Sequence, residues 1–153
     1  MPCMLRISGP NLDIDSLIQH IALEPETVCR KGEPKFGSRP NGNKHQKSGA
    51  DYLVSDAEFE DFEGQQSDAV EYLKLHETEI KAILSFSGVE GVVLDFGISR
   101  REVAVQCDYF PPELIKLAGE LGLGIELSQY PLSDELDGSE QSHAPDAQKA
   151  ARG

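Results

Sequence analysis

The chain has 153 residues, with 27 acidic side chains against 14 basic ones and a formal charge of -13. That length suits one compact domain, and counting Gly while leaving out Tyr gives about 46% apolar residues, enough for a packed core and too many for a disordered chain. The charge disfavours wholesale binding to nucleic acid or to an anionic membrane and suits a basic partner.

Cys3-Met4-Leu5-Arg6-Ile7-Ser8 alternates apolar and polar residues and reads as a short strand ended by Gly9-Pro10. Ile14, Leu17, Ile18 and Ile21 then fall on one stripe of a helix, with Asp13 placed to cap its free amides and Asp15 favouring the positive end of the dipole. Glu24-Pro25 stops that helix, and Thr27-Val28-Cys29 reads as a second strand. From Arg30 to Lys47 the composition changes: Arg30, Lys31, Lys35, Arg39, Lys44 and Lys47 face the single acid Glu33, a net +5 that leaves -18 for the rest of the chain. Five Gly and Pro residues punctuate the run, so it predicts a long loop, which in a compact domain is usually functional or disordered.

Asp51 to Ser55 predicts the strand that resumes the sheet. The opposite charge follows at once, as Asp56, Glu58, Glu60, Asp61 and Glu63 interleave with Phe59 and Phe62. Ser67 is a suitable cap for one long helix to about Ser85, with Val70, Leu73, Ile80, Ile83 and Leu84 supplying its apolar face and Gly88 and Gly91 ending it. Residues 92–98 and 102–107 read as a hairpin turning at Ser99-Arg100-Arg101. Pro112 opens a last helix lined by Leu114, Leu117, Ala118 and Leu121, Gly122 and Leu123 form a Schellman ending, and residues 125–128 a final strand. Two strand-helix-strand units with an added hairpin predict an α+β, ferredoxin-like sandwich: a mostly antiparallel sheet with helices on one face. Residues 1–130 form the expected single domain, and 131–153, poor in large apolar side chains, an expected disordered tail.

No stretch approaches the ~18 apolar residues of a membrane-spanning helix, and Met1-Pro2-Cys3-Met4 lacks the basic and apolar regions of a signal peptide, so the expected address is the cytoplasm. Cys3, Cys29 and Cys107 are far apart and predict reduced, mostly buried thiols. The chemistry of catalysis has little local support. Gly37 and Gly42 have the outer spacing of a phosphate loop, but Asn43-Lys44-His45 stands where Lys-Ser/Thr should open a helix. His20, His45, His76 and His143 share no metal spacing, no Gly-x-Ser-x-Gly elbow occurs, and acid pairs such as Asp13/Asp15 and Glu58/Glu60 are commoner as caps and solvated faces. The sequence therefore predicts no catalytic residue, no metal site and no cofactor.

Two charged segments remain as candidates, each with the ordinary alternative of a solvated surface. The acidic one, Glu58, Phe59, Glu60, Asp61, Phe62 and Glu63, has the aromatics within a charged rim that suit protein recognition. The basic one, Arg30, Lys31, Lys35, Arg39, Lys44 and Lys47, is a candidate anion site. It is a poor nucleic-acid site, since it offers only Phe36 for stacking and hangs from an acidic body.

Leu5-Arg6-Ile7-Ser8-Gly9, Leu12-Asp13, Leu23-Glu24-Pro25, Arg30-Lys31-Gly32-Glu33 and the late Pro112-Glu113-Leu114 with Leu121-Gly122-Leu123 resemble the bacterial family catalogued as domain of unknown function 4279, from about Cys3 to Tyr130. That family often carries Trp in the strand after the loop, where this chain has Tyr52. The resemblance implies no catalytic residues. It implies kinship with small domains discussed as immunity-like proteins that neutralise a toxin by binding it. The expectation is a non-enzymatic protein that recognises a basic protein partner such as a toxin domain through its acidic field and aromatic anchors. The rival expectation is a domain that senses a small anionic ligand with the basic loop 30–47.

Overall fold

The computed structural model describes residues 2–131, so nearly all of the expected tail lies outside the described residues. Among them the order is β1 (Cys3–Gly9), α1 (Ile14–His20), β2 (Thr27–Cys29), β3 (Ser48–Ser55), α2 (Phe62–Leu75), α3 (Glu77–Ser85), β4 (Gly91–Ser99), α4 (Pro112–Leu121) and β5 (Gly124–Tyr130). The strands form one sheet in the order β2-β3-β1-β4-β5, antiparallel throughout except for the parallel pair β4–β5. The expected α+β architecture is therefore present.

Period-two alternation decides which face is covered. Leu5 and Ile7 of β1, Ala50, Tyr52 and Val54 of β3, and Val92, Leu94 and Phe96 of β4 turn toward the helices and join Leu17, Leu73, Ile80, Ile83 and Leu114 in one buried cluster. Burying each of these large side chains contributes roughly 2 kcal/mol, which is why the helices stay on that side. The opposite face carries Arg6, Asp51 and Asp95 with Met4, Leu53 and Val93, and beside them Ser8, Gly49 and Gly91.

Several local expectations hold. Asp13 caps α1, its carboxylate accepting from the Ser16 amide at 3.1 Å and the Ser16 hydroxyl at 2.7 Å. These bonds hold its carboxyl below the usual range. Pro112 sits in the first turn of α4, and Gly122 ends it at φ 78°, with Leu123 donating back to the Ala118 carbonyl at 2.8 Å.

Two expectations about the elements fail. The long helix from Ser67 to Ser85 is two helices, and it starts earlier: Asp61 caps α2 by accepting from the Gly64 amide at 2.9 Å, and the chain breaks at His76. The charges explain the break, because Lys74 lies in the last turn of α2 while Glu77 and Glu79 lie in the first turn of α3, each suited to the dipole end it meets. The hairpin of 92–98 with 102–107 does not form. One side of β4 is taken by β1 and the other by β5, which α4 returns in parallel, so 102–107 has no ladder to join and follows an irregular path. The cysteines also differ from expectation: Cys3 is buried and Cys29 half-buried, but Cys107 is exposed.

The basic loop is more ordered than its composition suggests. Gly32 donates to the His45 carbonyl, His45 to that of Glu33 and Lys35 to that of Asn43, each at 2.9 Å, and Pro34 bridges Lys44. The run is a protruding hairpin that joins β2 to β3.

Candidate functional site

The acidic segment lies at one end of the sheet, and the chain ties it down from behind. Gln65, fully buried on α2, donates to the Glu58 carbonyl at 3.1 Å and to that of Gly97 at 2.8 Å. The Ser99 amide donates to the Phe59 carbonyl at 3.2 Å, and the Ser99 hydroxyl to Glu60 at 2.8 Å. Phe62 turns inward and meets Phe96 and Phe110 edge-on at centroid distances of 5.7 and 5.3 Å, while Phe59 packs on Tyr130 at 5.1 Å. Gly97 makes the fit possible, since a Cβ there would come within 3.0 Å of the Phe59 ring and 3.1 Å of the Pro2 carbonyl. The two aromatics expected to anchor a partner are therefore part of the fold, and the carboxylates beside them are what the surface presents.

Those carboxylates edge a cleft of about 580 Å³ between the start of α2 and the loop that leaves β4. Glu60, Asp61 and Glu63 form one wall and Asp108 and Tyr109 the other, with Arg101 the only base between them. Arg101 is committed to the loop: it pairs with Asp108 at 3.1 Å and donates to the Cys107 carbonyl at 3.1 Å, while its amide donates to Gln106 at 2.9 Å. Gln66 fastens the other side, donating to the Tyr109 carbonyl at 2.6 Å. With Arg101 offset by Asp108, the cleft keeps the negative sign of Glu60, Asp61 and Glu63. Glu58 is exposed just outside it.

The same loop supplies what the sequence reading missed. Tyr109 is 72% exposed at the cleft, and Val103 and Val105 are exposed on the loop beside it. The alternation of residues 102–107 was legible, but it points to a strand. Only the fact that both sides of β4 are occupied turns it into an exposed apolar loop.

The basic candidates sit elsewhere and are only partly brought together. Arg30 forms a two-pronged pair with Asp15 of α1, at 2.7 and 3.1 Å, which holds the Asp15 carboxyl below its usual range and raises the guanidinium. Lys31 donates to the Pro10 carbonyl at 3.2 Å. Both are thus spent on fixing the hairpin to the body, while Lys35, Arg39, Lys44 and Lys47 are exposed along it. Among the described residues no group of His, Cys, Asp and Glu is placed to hold a metal ion, and no helix is long and apolar enough to cross a membrane.

No family model, curated protein or solved structure matches the chain.

Proposed function

We propose that this protein works by binding a basic protein, with the acidic cleft as the recognition surface and an immunity-like role against a toxin domain as the specific form. The observation that carries this reading is the pairing of Glu60, Asp61 and Glu63 with exposed Tyr109 around one cleft, with Val103 and Val105 exposed on the same loop. A negative field steers a basic partner to the surface and speeds encounter, while an aromatic with few rotatable bonds supplies short-range affinity at low entropic cost. The anchors are the loop residues, in place of Phe59 and Phe62. The resemblance to domain of unknown function 4279 points the same way, as does an acidic body that offers most partners no attraction.

The test is affinity capture from the native lysate with mass spectrometry, run in parallel with wild type, Glu58→Gln/Glu60→Gln/Glu63→Gln and Tyr109→Ser. A basic protein retained by wild type at low salt and lost from both variants supports the reading. Recovery unchanged by either variant removes the cleft from it.

A further inference from the structure

The helix-free face of the sheet holds a second concavity, at the opposite end from the acidic cleft. It is a groove of about 470 Å³ that runs across the strands beneath the base of the basic hairpin, where His45 enters its wall. Its floor is bare by sequence: Gly49 of β3 and Gly91 of β4 flank Ser8 of β1 in register, so two side chains are missing on either side of one small hydroxyl. Next along β1 comes Arg6, directly opposite Asp51.

Arg6 is held in place rather than free to roam. Asp95, 3% exposed, approaches its guanidinium at 2.9 Å and is itself fixed by the Ser128 hydroxyl at 2.7 Å; Asp51 stands 3.9 Å away on the other side and accepts from Thr27 at 2.9 Å. Thr27, Asp51, Arg6, Asp95 and Ser128 thus form one polar row across all five strands. Arg6 still faces the groove with donors to spare, since a guanidinium carries five N–H groups and these carboxylates engage only part of it. Glu126 of β5 closes the far side. From strand spacing and register, its Cα lies roughly 12 Å from that of Arg6, so the two extended side chains leave a gap of a few ångströms between their charged ends.

The groove therefore sets one base, Arg6, with Asp51 and Asp95 paired to it, across from the exposed carboxylate of Glu126. A simple anion meets Arg6 but also the repulsion of three carboxylates, and a simple cation meets the carboxylates but also Arg6. A molecule with both charges a few ångströms apart meets Arg6 and Glu126 together. We propose that this groove binds a small zwitterion of the amino-acid type, its carboxylate taken by Arg6, its ammonium by Glu126, and its side chain laid on the glycine floor beside Val93. A ligand of no net charge also fits the position of the groove between a basic hairpin and an acidic body. Neither field would draw it in or drive it off.

The test is a ¹⁵N–¹H correlation titration of the full chain with L-leucine, L-glutamine, L-lysine and L-glutamate in turn, and with acetate, ethylamine and inorganic phosphate as single-charge probes. Saturable shifts of the Ser8, Gly49, Gly91 and Val93 amides with at least one amino acid, and weaker or no response to the single-charge probes, are expected. Glu126→Gln, at an exposed position, weakens that binding about tenfold, the size of one lost charge pair. Gly91→Ala weakens it too, because its Cβ meets nothing but the Ser8 hydroxyl, at 3.2 Å, a side-chain end that turns aside by a few tenths of an ångström as the methyl fills the floor. No saturable response to any amino acid overturns the proposal, as does an equal response to acetate or phosphate, or binding that Glu126→Gln leaves unchanged.

Discussion

The two ends of this molecule are opposite in charge, but the larger contrast is in how the chain supports them. The acidic end is backed by the core: Phe62 wedges between Phe96 and Phe110, and buried Gln65 grips the strand behind it. The basic hairpin stands off the body, held by the Arg30–Asp15 pair, the Lys31 contact and its own backbone ladder. Charge on a packed platform has fixed geometry and suits a partner of defined shape. Charge on an exposed hairpin sets a field and little else.

Matched changes in the two regions sharpen this contrast. Phe62→Ala removes an aromatic wedge and is expected to lower stability by about 3 kcal/mol, whereas Phe36→Ala, at a hairpin residue 64% exposed, stays within about 0.5 kcal/mol. Equal losses in chemical denaturation would mean that the hairpin packs as firmly as the acidic end. Asp61→Ala strips the cap of α2 and is expected to cost about 1 kcal/mol, while Ser67→Ala costs almost nothing, because that residue lies within the helix. The reverse order in urea titrations would restore the later helix start.

A smaller effect concerns pH. The Asp15 carboxyl is held low by Arg30, so the pair stabilises the fold above the ordinary aspartate value of about 3.9 and loses that contribution as pH falls through the depressed one. Wild type therefore loses stability on acidification more steeply than Arg30→Gln, and parallel curves of melting temperature against pH would show that the hairpin gains nothing from the pair.

The fold was largely legible because its elements announce themselves locally: an alternating strand, a capped helix, a glycine stop. What could not be read depends on neighbours distant in sequence. Residues 102–107 have the alternation of a strand, and nothing in them tells that α4 returns β5 to the only free side of β4. Ser48-Gly49-Ala50 extend β3 backward without a large apolar residue, so that part of the sheet was hidden in the basic run. The charges of the acidic segment were visible, but the direction of its aromatics was not. Phe59 and Phe62 look like anchors until Gly97 and Phe110 show what they pack against. The groove was invisible for the same reason, since Ser8, Gly49 and Gly91 meet only through pairing.

The place of β1 in the sheet bears on how the protein is made. The middle strand is synthesised before both of its partners, β3 some forty to fifty residues later and β4 some eighty to ninety later. On the ribosome one edge of that segment waits until β3 has emerged and the other until the chain through Phe96 has, which favours slow closure and a need for protection from aggregation during synthesis.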